Sequence, residues 1–140
     1  MEDAEPRLIE RGVLFWEKIL EDESLPGEAF HGFGWWAEVK GVEQDRWERM
    51  MLATCKRAGG SLEWAVSVAK RFVDERVAGT GLAALTCLLR GRIEPWDRAE
   101  VAETSLGALR VSQGEGVLAG ERERLRDALA DLGFFDAPDT

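Results

Sequence analysis

A chain of 140 residues with 45% hydrophobic content is long enough to bury one core and too apolar for a disordered polymer. Its net charge of −9, from 27 acidic against 18 basic residues, argues against sequence-independent nucleic-acid binding, which needs a strongly basic face. No apolar run approaches the ~18 residues of a membrane span, and the acidic opening Met1–Pro6 lacks the basic and apolar regions of a secretory leader, so a cytoplasmic protein with no membrane partner is expected.

The charge is uneven. Residues 1–50 hold thirteen acids and six bases, residues 51–100 six acids and eight bases, and residues 101–140 eight acids and four bases. Six Trp and six Phe with no Tyr supply much of the area a small core needs.

Helical periodicity runs through the chain, and the expected fold is all-α, a single domain over 1–140 with about six to seven helices. Residues 6–21 place Leu8, Gly12, Phe15 and Ile19 on one stripe and Ile9, Trp16 and Leu20 beside it, a wide apolar face with Pro6 in the first turn. Residues 22–27, with Ser24, Pro26 and Gly27, break the chain. Residues 28–39 contain two glycines, each costing a helix roughly 1 kcal/mol relative to Ala, yet Ala29, Phe33 and Trp36 fit a helical face, so a short or kinked helix is expected there.

A helix over 43–57 carries Trp47, Met50, Met51 and Thr54 inward and stops at Gly59-Gly60. Ser61 is the expected cap of a helix over 61–76 whose buried stripe is Leu62, Ala65, Val66, Ala69, Phe72 and Val73. Gly79 and Gly81 read as punctuation before a short apolar helix over 81–90. Pro95 opens a helix over 95–111 with Ala99, Ala102, Leu106 and Leu109 inward. A glycine-rich loop then leads to the last helix, 121–132, with Leu125, Ala128, Leu129 and Leu132 inward. Phe134 and Phe135 are expected to fold back on the core ahead of a tail over 136–140. Sustained period-2 alternation is absent, so no sheet is expected.

Displacing the chain by 32 positions matches Thr54-Cys55 with Thr86-Cys87, Gly59 with Gly91 and Trp64 with Trp96. Each copy reads as helix, glycine stop, then a helix with Trp near its start. Stacked antiparallel helix pairs of the HEAT kind would produce such a period, and a compact irregular bundle is the alternative.

The reactive inventory is thin. Any nucleophile–base system would have to use His31, the one histidine, which sits among aromatics with no G-x-S-x-G run in the chain. Two cysteines 32 positions apart supply no zinc spacing, and in a reducing compartment Cys55 and Cys87 read as buried apolar residues. Gly79-Thr80-Gly81 is half a phosphate loop, without the lysine that would complete one. No catalytic residue, metal or cofactor is therefore assigned.

Two features remain. Trp35 and Trp36 point about 100° apart on a helix, so one of them is expected to stay partly exposed beside Phe33 as an interface anchor, unless both bury against the first helix. Basic residues gather at helix ends, and if the repeat is real, Lys56, Arg57, Arg90 and Arg92 share one edge; otherwise they answer the helix dipoles. The expected function is a non-enzymatic protein-interaction module: an adaptor, a complex subunit or an inhibitor or immunity-type protein. The alternative is a small-molecule binder or enzyme with a Trp-lined pocket.

Overall fold

The computed structural model describes residues 6–74 and 76–134. Among them there is no strand. The helices are α1 (Pro6–Glu21), a 3₁₀ helix (Gly27–Glu38), α2 (Gln44–Arg57), α3 (Ala65–Val73), α4 (Gly79–Arg90), α5 (Pro95–Val111), a short 3₁₀ turn (Gly116–Leu118) and α6 (Ala119–Asp131). Phe135 and the tail over 136–140 lie outside the described residues, as does Glu75.

The chain alternates between two layers. One holds α1, α2, α4 and α6 side by side, and the other holds the long 3₁₀ helix, α3 and α5. Within the first layer neighbours run parallel. Trp16 Nε1 donates to Thr54 Oγ1 at 2.9 Å and Arg46 reaches Glu10 at 3.1 Å, joining α1 to α2. Thr80 donates to Glu48 at 3.1 Å and the Cys87 thiol to the Cys55 carbonyl at 3.3 Å, joining α2 to α4. Arg90 meets Asp131 at 2.7 Å, joining α4 to α6. The molecule is thus a stack of helix pairs.

The 32-residue displacement is the step of that stack. Glu48 and Thr80, and Cys55 and Cys87, are each 32 positions apart and touch. At the same crossing Gly60 and Gly91 lie backbone to backbone. A Cβ on Gly60 would overlap the Cys87 carbonyl, and one on Gly91 would overlap Gly60 itself. Gly60 also sits at φ +81, a conformation that side chains disfavour. The glycines therefore set how closely successive pairs approach.

Several boundaries differ from the sequence reading, for identifiable reasons. Ser61 does not cap α3. Its hydroxyl accepts the Arg92 backbone N–H at 2.9 Å, bracing one step of the stack against the next. The Glu63 N–H donates to the His31 carbonyl at 2.9 Å, Leu62 is buried, and Trp64 takes a left-handed conformation (φ 63), so α3 begins only at Ala65 and ends at Val73. Gly79 and Gly81 lie inside the first turn of α4 rather than before it, and the missing side chain of Gly81 admits the Phe72 carbonyl. Ala99 and Leu132, expected inward, are exposed. In α5, Val101 and Ser105 are buried alongside Ala102, Ala108 and Leu109.

The 12-residue 3₁₀ helix replaces the expected short or kinked helix. Such runs are rarely longer than 3–4 residues because their hydrogen bonds are poor. Here neighbours satisfy its end: Trp47 Nε1 donates to the Trp36 carbonyl at 3.2 Å, and the Arg71 guanidinium donates to the carbonyls of Trp36, Ala37 and Val39, the last at 2.7 Å. Burial pushes the Arg71 pKa down. Gly34 allows the helix to press on the Glu63 carbonyl, where a Cβ would overlap.

Candidate functional site

α1 is apolar on two sides. Val13 and Trp16 are fully buried, with Ile9 and Leu20 packed against the core beside them. On the other stripe Ile19 still packs against the core, but Leu8 and Phe15 do not. Leu8 is 55% exposed and Phe15 61%. The wide apolar face expected of the helix divides into a core face and an open face that turns away from α2. An interior helix of a stack needs two apolar sides because it has two neighbours, and a terminal helix ordinarily needs only one.

The open face continues onto the other layer. Leu8, Ile9, Gly12, Phe15, Phe33, Trp35, Trp36 and Val39 line a groove of about 410 Å³ between α1 and the 3₁₀ helix. Of the tryptophan pair, Trp36 is buried and Trp35 is 47% exposed. The rings of Trp35 and Trp36 stack at 5.0 Å, those of Trp36 and Trp16 at 4.9 Å, and Phe33 lies 6.2 Å from Trp16. This makes a rigid aromatic floor. Gly12 completes it, since a Cβ there would stand 3.0 Å from the Trp36 ring. Trp16 is pinned in turn by its bond to Thr54, whose hydroxyl donates to the Met50 carbonyl at 2.7 Å. The groove is thus preorganised by the core beneath it.

The basic edge is partly spent on structure. The ends of α2 and α4, which carry Lys56, Arg57, Arg90 and Arg92, lie together at Cys55–Cys87 and Gly60–Gly91. But Arg57 donates to the carbonyls of Leu20, Asp22 and Leu25 at 2.8, 2.8 and 3.2 Å and lies 4.4 Å over the Phe30 ring. It fastens the turn after α1. Arg90 is paired with Asp131. Lys56 and Arg92 are exposed there.

His31 is half-buried, and its carbonyl is engaged by Glu63. Among the described residues no group of three or more His, Cys, Asp or Glu converges as a metal site would require. Cys55 and Cys87 are unbridged, and burial raises both thiol pKa values. Among the described residues no helix is long and apolar enough to cross a membrane.

Sequence reasoning missed Leu8 and Phe15 as surface residues. The signal was in the wheel: apolar positions on α1 cover more arc than one core contact uses. It also missed Trp64 and Trp96, the pair related by the repeat, which are 54% and 67% exposed at the starts of α3 and α5. No family model matches the chain, and neither a curated protein nor a solved structure is significantly similar to it.

Proposed function

We propose that the chain is a non-catalytic docking module that receives a partner protein on the open face of α1 and the 3₁₀ helix. One observation carries this reading. A contiguous apolar surface of Leu8, Phe15 and Trp35 is left in water over a floor of stacked rings, at the end of a stack whose interior repeats cover such surface with another helix pair. Exposed Trp on a rigid base costs little conformational entropy to engage, which is why such residues dominate interface energetics. The thin reactive inventory and the unbridged cysteines fit a binding role in the cytoplasm.

The test is photo-cross-linking from position 15 in native extract. A discrete protein adduct is expected, and Leu8→Ser with Trp35→Ala is expected to abolish it. An adduct pattern indifferent to those changes would sink the proposal.

The groove's volume and its almost wholly apolar lining also favour a second reading, a small-molecule pocket. A thermal-shift screen separates the two. Stabilisation by one apolar metabolite, lost on Trp35→Ala, supports the pocket, because a ligand that binds only the folded state raises Tm.

A further inference from the structure

The charge around the groove specifies what kind of partner helix fits it, an inference that rests on the docking reading above. Around the outer side of α1 run two adjacent rows at helical spacing. Leu8, Gly12, Phe15 and Ile19 form the row beside the groove. Arg7, Arg11, Leu14 and Lys18 form the next row round, all exposed. The acids of the middle turns, Glu10 and Glu17, are on the opposite edge, where Arg46 of α2 holds each at 3.1 Å and is itself raised in pKa by their hydrogen bonds. The flank of the apolar row is therefore positive over its first three turns, with Glu21 closing it at the far end. On the other bank Glu38 and Lys40 stand either side of Val39 and offset one another. A basic flank on a chain of net charge −9 is local, not a reflection of composition.

The geometry points to an acidic amphipathic helix of another protein as the occupant, lying along α1 with its apolar stripe in the groove and its Glu or Asp residues against Arg7, Arg11 and Lys18. Leu8 and Phe15 are seven residues apart, about 10.5 Å along the axis, a spacing that meets side chains two turns apart on a facing helix. A second copy of this chain fits less well. Symmetric antiparallel pairing of two α1 helices keeps each flank on its own side, so the basic row would meet the basic row, and like charges at an interface are unfavourable. Among the described residues the groove has three cations on one bank, and Lys40 on the other is offset by Glu38, a weaker and more divided positive field than the basic clusters by which helices adhere to anionic lipid.

Two labelled helical peptides test this, identical in their leucine stripe, one flanked by Glu and the other by Lys, each titrated by fluorescence anisotropy against the whole chain. The Glu peptide is expected to bind at least about tenfold tighter, the sum of three modest exposed ion pairs, and to weaken as salt is raised. The R7E/R11E/K18E variant is expected to reverse the preference, and L8S/F15S to lose both peptides while far-UV circular dichroism stays unchanged. Equal binding of the two peptides, or a preference that R7E/R11E/K18E leaves intact, overturns the charge assignment while docking at this face stands. Failure of both peptides, with cross-linking from position 15 indifferent to Leu8→Ser and Trp35→Ala, removes the docking reading as well. A dimer in sedimentation that L8S/F15S disperses would put a second copy in the groove and overturn the assignment. So would attachment to phosphatidylserine vesicles through this face with neither peptide bound.

Discussion

At its two ends the stack meets solvent with opposite kinds of surface. On α6, Leu125, Ala128 and Leu129 turn wholly inward, and Glu123, Arg124, Asp127 and Asp131 cover the outer side. On α1, Val13 and Trp16 turn inward but Leu8 and Phe15 face out, and Trp35 joins them from the second layer. A terminal repeat with a polar outer side stops a stack, whereas one with an apolar outer side leaves a place for another element. The two helices have similar lengths, and the difference between them lies in the arc that apolar residues occupy.

The contrast can be broken by mutation. The largest effect is expected from Trp16→Ala, which removes the ring under Trp36 and leaves the Thr54 hydroxyl without its donor; a loss of about 3–5 kcal/mol by urea denaturation should accompany loss of the groove. Gly91→Ala acts on the step between repeats rather than on either end. Its Cβ has no room against Gly60, and destabilisation of about 2–3 kcal/mol is expected. Leu125→Ala at the closed end should cost about 2–5 kcal/mol, while Leu8→Ser at the open end should stay within about 0.5 kcal/mol of the parent, because its side chain is already in water. Comparable costs at Leu125 and Leu8 would mean that the ends do not differ as described.

The smallest effect concerns the thiols. Burial raises both, so the folded state keeps them protonated where the unfolded chain would lose the protons. Their contribution to stability is complete below the unfolded thiol pKa of about 8.5 and declines as pH rises above it. Cys55→Ala is expected to flatten part of that alkaline decline. Alkylation at pH 8 should be slow for both residues in the folded protein, and mass spectrometry after timed quenching checks it.

Much of the architecture was legible in the residues. Pro95 in the first turn and a long run without a breaker marked the helix at 95–111, and Gly59, Cys55 and Trp64 with their partners at 91, 87 and 96 disclosed the step of the stack. What stayed hidden depended on neighbours. A capping serine and a serine that accepts from the next step of the stack look alike in sequence, so Ser61 misled the boundary of α3. A 12-residue 3₁₀ helix exists because Arg71 and Trp47, distant in sequence, satisfy its carbonyls. The candidate site was half legible. The adjacency of Trp35 and Trp36 left either one ring facing out or both buried against the first helix, and Trp35 is the one exposed; periodicity alone cannot say which of two apolar stripes on α1 meets a neighbour. From sequence Arg57 and Arg90 belong to a basic edge or answer the helix dipoles, and their engagement with the turn after α1 and with Asp131 follows only from tertiary placement.

The column of rings beneath the groove has an optical consequence. Indoles held face to face at 4.9 and 5.0 Å share their near-ultraviolet transitions, so Trp35, Trp36 and Trp16 absorb as one coupled chromophore with a dichroic signature set by their mutual angles. Anything that tilts Trp35 changes that signature. The molecule carries its own unlabelled gauge of whether its open end is occupied.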